Sequence, residues 1–156
     1  IKYIEPYEVY YKKFYQQLIQ LFDNDPTLIK LDLSGSRTTN FNDLGAFRKQ
    51  ILDEGAKSIA QALQTNKTLT ELNLAYNEIG DEGAKAIAHA LKTNKTLRYL
   101  NLDDNKIKND GGKAIEEALQ TNSTLIKLKL NNNPIYDDTL RIKLKQTNRI
   151  HIYTNI

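Results

Sequence analysis

The sequence lacks cysteine, methionine and tryptophan, and has only two histidines and three prolines among its 156 residues. The absence of cysteine excludes disulfides, thiolate metal sites and cysteine nucleophiles, and favours a reducing, intracellular setting. His89 and His151 stand 62 positions apart, which supports neither a metal pair nor a Ser/His/Asp arrangement. Glycine-rich phosphate loops and apolar runs of 18 residues are also absent. We therefore expect no catalytic centre, no metal site and no cofactor.

Basic residues outnumber acidic residues only slightly. The chain has 22 basic and 19 acidic residues, a formal net charge of +3. This balance is too even to attract nucleic acid or an acidic membrane surface, so we expect neither as a partner. With 40% hydrophobic and 26% charged residues the composition is that of one globular domain, and we expect a monomer.

A 28-residue unit repeats along the chain. The segment LTELNLAYNEIGDEGAKAIAHALKTNKT from Leu69 aligns without a gap with LRYLNLDDNKIKNDGGKAIEEALQTNST from Leu97, and further copies begin at Leu28 and Leu125. Each copy starts with L-x-x-L-x-L, the alternation of a short strand with one buried face. Apolar residues then recur at i, i+3, i+4 and i+7, which predicts an amphipathic helix. In the copy from Leu69 they are Ala84, Ile87, Ala88 and Leu91.

The pattern L-x-x-L-x-L-x-x-N-x-I resembles the leucine-rich-repeat family, and the 28-residue length with DEGA and AIA-AL resembles its ribonuclease-inhibitor-like and NOD-like-receptor subclass. This resemblance implies an α/β fold, a right-handed solenoid in a horseshoe arc with parallel strands on the concave face and helices on the convex face. We assign one domain, 1–156. Its parts are an N-terminal capping helix (1–27), repeat 1 (28–68), repeat 2 (69–96), repeat 3 (97–124), repeat 4 (125–149) and a C-terminal cap strand (150–156).

Two sets of asparagines recur with the period. Asn77, Asn105 and Asn133 follow the strands, and we predict that they form a buried hydrogen-bonded ladder between successive turns. The second set consists of the sequon asparagines Asn66, Asn94 and Asn122. We interpret their 28-residue spacing as a structural turn between helix and strand, with glycosylation as the alternative.

The predicted helices begin with residues that align between the repeats and are of types that commonly cap helices. Each has a side-chain oxygen that can accept from the otherwise unpaired amides of a first helical turn. We therefore predict that each of them caps the helix in its own repeat. They are Asp53, Asp81, Asn109 and Asp137.

Repeat 1 contains an insertion of 13 residues between Ser36 and Ile51, where Ser36 replaces the ladder asparagine. Long insertions in tight repeats commonly carry function. The insertion is therefore interpreted either as a binding segment or as a local structural or neutral segment without a binding role. The candidate binding residues in this segment are Arg37, Phe41, Phe47 and Arg48.

Both ends of the array depart from the repeat. At the N terminus, five apolar or aromatic residues at helical spacing predict the buried stripe of the capping helix, with an aromatic contact surface as the alternative. They are Tyr11, Tyr15, Leu18, Ile19 and Phe22. At the C terminus, RIHIYTNI echoes the strand motif and aligns Ile150 with Leu128, a spacing of 22 residues. This predicts a shortened last turn.

The resemblance implies a partner-binding surface formed by the strand residues that alternate with the leucines. The positions are Lys30, Asp32, Glu71, Asn73, Tyr99, Asn101, Lys127 and Lys129, flanked by Arg98 and Asp103. Tyr99 beside Arg98 has the amphipathic chemistry that is enriched at interface hot spots.

We therefore expect a non-enzymatic module that binds another protein, whose identity the residues do not reveal. The alternative is a regulatory or targeting segment of a larger enzyme, receptor or secreted effector with its catalytic domain elsewhere. Because no methionine occurs even at position 1, we expect the chain to begin after the natural start or inside a longer protein. The expected localisation is intracellular, or inside a host cell if the chain comes from a pathogen's effector.

Overall fold

The protein is described by a computed structural model that covers residues 5–35, 50–146 and 151–153, with side chains for 12–35 and 50–146. Strands and helices alternate along these residues, and the strands form one parallel sheet in the order β1-β2-β3-β4-β5. The predicted fold class is confirmed. The elements are α1 (Glu5–Phe22), β1 (Lys30–Asp32), α2 (Leu52–Thr65), β2 (Glu71–Asn73), α3 (Asp81–Thr93), β3 (Tyr99–Asn101), α4 (Asn109–Thr121), β4 (Lys127–Lys129), α5 (Asp138–Lys145) and β5 (His151–Tyr153).

One row of leucines runs across the sheet and into the core. Leu31, Leu72, Leu100 and Leu128 pair in register, and each is at most 3% exposed. Helices α2, α3 and α4 cover this row with their apolar stripes, whose alanines allow close approach. Each large aliphatic side chain contributes roughly 1.5–3 kcal/mol when buried, and neighbouring repeats must stack to bury it.

The predicted asparagine ladder is confirmed, and Asn105 is its most heavily bonded member. Its Oδ1 accepts from the amides of Asn77 (3.2 Å) and Ile79 (2.9 Å). Its Nδ2 donates to the carbonyls of Leu74 (2.9 Å), Leu102 (3.0 Å) and Asp103 (3.2 Å). Asn105 therefore joins two successive repeats, and Asn77 and Asn133 make equivalent bonds.

The sequon asparagines form a second ladder on the other side of the core. Asn94 is 2% exposed, and its Nδ2 donates to Leu63 O (2.8 Å) in the preceding repeat. Its Oδ1 accepts from the amides of Thr96 (3.0 Å) and Leu97 (2.8 Å), where the chain turns from helix to strand. Asn66 and Asn122 repeat this arrangement. The structural interpretation of the sequons is thus confirmed, because the amide nitrogens are already buried in hydrogen bonds.

The predicted capping of each helix by its own repeat is right only for Asp137, whose side chain accepts from Leu140 N. For α2, α3 and α4 it is wrong, since these helices have no side-chain cap bond of their own. Asp81 lies inside α3 and reaches α4, where its Oδ1 accepts from the amides of Lys108 (2.8 Å) and Gly111 (2.9 Å). Asp53 makes the same bonds to α3. Asp53 and Asp81 therefore each cap the helix of the following repeat.

Asp81→Ala should lower the free energy of unfolding by about 1–2 kcal/mol, because two amides in the first turn of α4 lose their acceptor. Asp81→Asn should cost less. At the equivalent position one repeat later, the amide oxygen of Asn109 accepts from Tyr136 N (2.9 Å) and Asp137 N (3.0 Å) just before α5, so an asparagine can reach the next repeat in the same way. Urea unfolding of the two variants measures the difference. Equal stability of Asp81→Ala and the unmodified protein would contradict this capping.

The N-terminal helix α1 buries different residues from those that the sequence predicts. Among the side chains described in α1, Phe14 and Leu21 are buried and Leu18 packs partly buried against the core, while Tyr15 is 58% and Ile19 57% exposed. The predicted stripe is therefore right for Leu18 and wrong for Tyr15 and Ile19, and the Tyr11 side chain lies outside the described residues. Phe22 is also exposed, at 39%. The reason is that Phe14, Leu18 and Leu21 stand at i, i+4 and i+7, so the side of α1 that meets the core is rotated away from Tyr15, Ile19 and Phe22.

Strand β5 pairs with β4 in a register that the sequence alignment missed. Leu128 pairs with Ile152 and not with Ile150, so 24 residues separate them, compared with 28 between Leu100 and Leu128. The alignment of Ile150 with Leu128 is therefore wrong by one alternation of the strand. A two-residue slip keeps the same side of the strand inward, which is why the pattern alone does not detect it.

Candidate functional site

Parallel pairing arranges the predicted binding residues in two rows on the outer side of the sheet, which we call the strand face. Lys30, Glu71, Tyr99 and Lys127 pair in register and form the first row. Neighbouring strands lie about 4.8 Å apart, so this row spans about 15 Å. The second row lies beyond the buried leucines and consists of Asp32, Asn73, Asn101 and Lys129.

At the β1–β2 end of the strand face, opposite charges neutralise each other. Lys30 Nζ lies 2.7 Å from Glu71 Oε1, and both side chains remain well exposed. Such an exposed pair contributes little to stability and separates at low cost. Partial burial acts to raise the pKa of Asp32, but hydrogen bonds from Ser34, including one from its amide at 2.9 Å, outweigh it and hold that pKa below its ordinary value. Asp32 is therefore ionised at neutral pH.

At the β3–β4 end, an aromatic ring lies among cations. Lys127 Nζ lies 5.5 Å from the centroid of the half-buried Tyr99 ring, within the range of a cation–π contact. Arg98 is exposed, and its Nη1 donates to Thr124 O at 3.2 Å across the two strands. These contacts hold Lys127 against the Tyr99 ring and orient the Arg98 guanidinium toward Thr124, just before β4.

The asparagines of the second row serve the fold locally. Asn73 Oδ1 accepts from Ala75 N at 3.1 Å, and Asn101 Oδ1 accepts from Asp103 N at 2.9 Å. Asn101 is only 9% exposed. Both side chains close the turn that follows their strand, so they offer a partner less surface than the first row does.

Asp103 is likewise bound to the next repeat. Its Oδ1 accepts from the amide of Asn131 (2.7 Å) and from the Asn131 Nδ2 (3.0 Å). Burial raises the pKa of this carboxyl above its ordinary value, against the opposing effect of those hydrogen bonds and of Lys129. Lys129 Nζ stands 3.9 Å from Asp103 Oδ2. Asp103 therefore offers only a small part of its charge to solvent.

One exposed residue beside this site escaped the sequence analysis. Ile126 is 51% exposed, and its amide donates to Arg98 O at 2.8 Å, which places it next to Arg98 at the edge of the sheet. The position just before each strand holds Ile29, Thr70, Arg98 and Ile126 in the four repeats. This variability on an otherwise regular frame is the signal that could have identified it.

Other candidates lie elsewhere. Arg37, Phe41, Phe47 and Arg48 of the insertion are outside the described residues. His89 is exposed on helix α3 and does not belong to the strand face. Within residues 5–35, 50–146 and 151–153, no three His, Cys, Asp or Glu side chains converge as metal ligands. The same ranges contain no helix long and apolar enough to cross a membrane. What the strand face offers chemically is charge, one aromatic ring and hydrogen bonds.

Comparison with known proteins places the chain in a family. Residues 13–135 match the TMOD/LMOD Leucine-rich domain. The fold is similar to a solved structure described as Leiomodin-1 Actin-Binding Site 2 (ABS2), with a TM-score of 0.76 and 28% identity over 92% of this chain and 79% of that one. It is also similar to a tropomodulin C-terminal domain from Caenorhabditis elegans, with a TM-score of 0.72 and 13% identity over 92% of this chain and 83% of that one.

No curated protein sequence matches the chain. The family match nevertheless extends from helix α1 to the turn before α5, and so contains four of the five strands. This protein belongs to the family of tropomodulin and leiomodin leucine-rich domains.

Proposed function

We propose that this chain is a non-enzymatic protein-binding module whose partner is actin. The observation that carries this proposal is the similarity to the Leiomodin-1 Actin-Binding Site 2 structure, at 28% identity over 92% of this chain. Family membership supports it as well. The strand face is the surface we assign to the partner, because it presents charged and aromatic side chains on a rigid sheet.

The first row of the strand face carries most of the binding in this proposal. Lys30, Glu71 and Tyr99 keep side-chain surface available, whereas Asn101 and Asp103 are largely occupied by the fold. Tyrosine and arginine are the residue types that most often dominate interface energies. Tyr99 with Arg98 is therefore the expected hot spot, and the insertion residues Arg37, Phe41, Phe47 and Arg48 are a second contact region to be tested by deleting 37–48.

Further parts of the proposal follow from the sequence. We assign a single monomeric domain with the repeat boundaries given above, an intracellular location and no nucleic-acid or membrane partner. The 28-residue spacing of β2, β3 and β4, each followed by a helix, supports the ribonuclease-inhibitor-like subclass of repeat. The alternative is that the chain is a regulatory or targeting segment of a larger protein. The full reading frame would distinguish this alternative from a separate binding module.

The double variant Tyr99→Ala with Lys127→Glu should weaken binding to actin filaments by roughly 30-fold or more, because it removes the expected hot spot and reverses one charge beside it. Co-sedimentation with filaments over a range of actin concentrations measures the dissociation constant. The control is His89→Ala with Lys113→Glu, which truncates one ring-bearing side chain and reverses one lysine charge at exposed positions on helices α3 and α4.

Two results would count against the proposal. Failure of the unmodified protein to sediment with actin would remove actin as the partner. Equal binding by the strand-face variant and the unmodified protein would show that actin does not bind at the strand face. Loss of binding in the helix control would assign the interface to the helices.

A further inference from the structure

The charges of the strand face are divided between its two ends. At the β1–β2 end the side chains are Lys30, Asp32 and Glu71, one cation and two anions. At the β3–β4 end, Arg98 and Lys127 lie beside Tyr99 at the start of the strands. In the first row, the carboxylate nearest to Tyr99 belongs to Glu71 on the neighbouring strand. This carboxylate forms an ion pair with Lys30 at 2.7 Å.

The acids of repeat 3 lie at the opposite edge of the sheet. Asp103 follows Tyr99 by four residues, which is about 13 Å along an extended strand. Its carboxylate is turned toward Asn131 and Lys129, and Asp104 is bonded to Asn132 Nδ2 at 3.1 Å in the same turn. The start of β3 and β4 is therefore a cationic region, well separated from the acidic turn.

Apolar surface accompanies these cations. Ile126 is 51% exposed, and its backbone is bonded to that of Arg98. The Tyr99 ring is half-buried with Lys127 Nζ over it, 5.5 Å from the centroid. We call Arg98, Tyr99, Ile126 and Lys127 the Tyr99 patch. Arg98 donates one N–H group to Thr124 O. A guanidinium has five N–H donors, so other N–H groups can donate to a carboxylate while the side chain is already oriented.

We propose that the Tyr99 patch binds an acidic segment of the partner that carries an aliphatic side chain. Arg98 and Lys127 bind the carboxylates, and the aliphatic group packs between the Tyr99 ring and Ile126. The argument for this occupant is charge complementarity together with the adjoining apolar surface. The inference rests on the proposed strand-face function and specifies the chemistry that this face recognises.

Labelled synthetic peptides test the inference without relying on actin. The probes are a glutamate-rich peptide with a central leucine pair, the same peptide with serine for leucine, and a lysine-rich peptide with the leucine pair. Fluorescence anisotropy at low salt should show that the unmodified protein binds the glutamate–leucine peptide about tenfold more tightly than either of the others, since one well-placed contact contributes on the order of 1.4 kcal/mol.

Charge reversal then locates the site. Arg98→Glu with Lys127→Glu should weaken the glutamate–leucine peptide at least tenfold and should gain binding of the lysine–leucine peptide. Lys92→Glu with Lys113→Glu changes the net charge equally at exposed positions on α3 and α4, and should leave both affinities unchanged. Circular dichroism spectra establish that the variants are folded, and Lys127→Gln alone should give a smaller loss in the same direction.

The inference is overturned if the unmodified protein shows no preference for the glutamate–leucine peptide, or if the helix control loses as much affinity as the patch variant. Actin sedimentation with the same variants separates the two proposals. Actin binding that depends on the patch without peptide preference would keep the strand-face function and reject the acidic segment. Peptide binding at the patch without actin binding would keep the acidic segment and reject actin.

Discussion

Asn105→Ala is expected to lower the free energy of unfolding by about 3 kcal/mol, because a buried unpaired polar group costs about 1–3 kcal/mol and several are created at once. The side chain is 4% exposed and makes five hydrogen bonds to two repeats. Alanine leaves the amides of Asn77 and Ile79 without their acceptor in the core. For a domain of this size the loss corresponds to a fall in melting temperature of roughly 6–12 °C.

The control for this experiment is Lys106→Ala, the exposed neighbour of Asn105 in the same turn. It should change the free energy of unfolding by no more than about 0.5 kcal/mol. Calorimetry of both variants gives the comparison. Melting of Asn105→Ala within a degree of the control would show that the ladder does not hold the repeats together.

Gly111→Ala should destabilise the protein by about 2 kcal/mol, although alanine normally stabilises a helix by up to about 1 kcal/mol relative to glycine. An added Cβ would lie 2.7 Å from Asp81 Oδ1, 2.8 Å from Ile107 Cγ2 and 2.9 Å from Ala84 Cβ. All three distances are shorter than packed atoms tolerate. Alanine must therefore push α4 away from α3 and stretch the bond from the Gly111 amide to Asp81.

Gly112 provides a matched control one residue further along the helix. A Cβ there would lie 3.1 Å from the ends of the Ile135 and Leu140 side chains, which can move by a few tenths of an ångström. Gly112→Ala should change the stability by less than about 1 kcal/mol, since the helix preference of alanine offsets the repacking. Chemical unfolding distinguishes the two positions, and a Gly111→Ala variant more stable than Gly112→Ala would contradict the close packing of α3 on α4.

The repeat itself was predictable because it is local and periodic. Alternating leucines in a three-residue strand, and apolar residues at i, i+3, i+4 and i+7 in the helix, indicate buried faces without any knowledge of partners. The 28-residue spacing then predicts parallel pairing, since equal connections return each strand to the same register. The Asn105 ladder followed from the same reasoning, because a polar residue at a periodic, otherwise apolar position requires hydrogen-bond partners.

Features that depend on contacts between repeats were not predictable in this way. The residue type of Asp81 shows that it can cap a helix, but its position inside α3 directs the side chain to the next repeat. In α1, spacing alone does not distinguish the buried pair of Phe14 and Leu21 from the exposed Tyr15 and Ile19. The packing of α1 against the core determines this, because Phe14, Leu18 and Leu21 at i, i+4 and i+7 are the residues that meet it.

The strand face was predictable only as a set of positions. Alternation identifies residues that do not point into the core, and the first row follows from it. It does not reveal that Asn101 is used by the turn that follows its own strand, or that Asp103 is bound to the next repeat through Asn131. Ile126 was missed because it lies outside the alternating positions, at the edge of the sheet.

Photocrosslinking from the strand face to its partner is the most direct measurement of where that partner binds. A photoreactive phenylalanine analogue replaces Tyr99 in one protein and the exposed His89 on helix α3 in another, and each is irradiated with actin filaments. We expect crosslinked actin from position 99 and none from position 89. Crosslinks from position 89 alone would contradict binding through the strand face and would assign the interface to the helices.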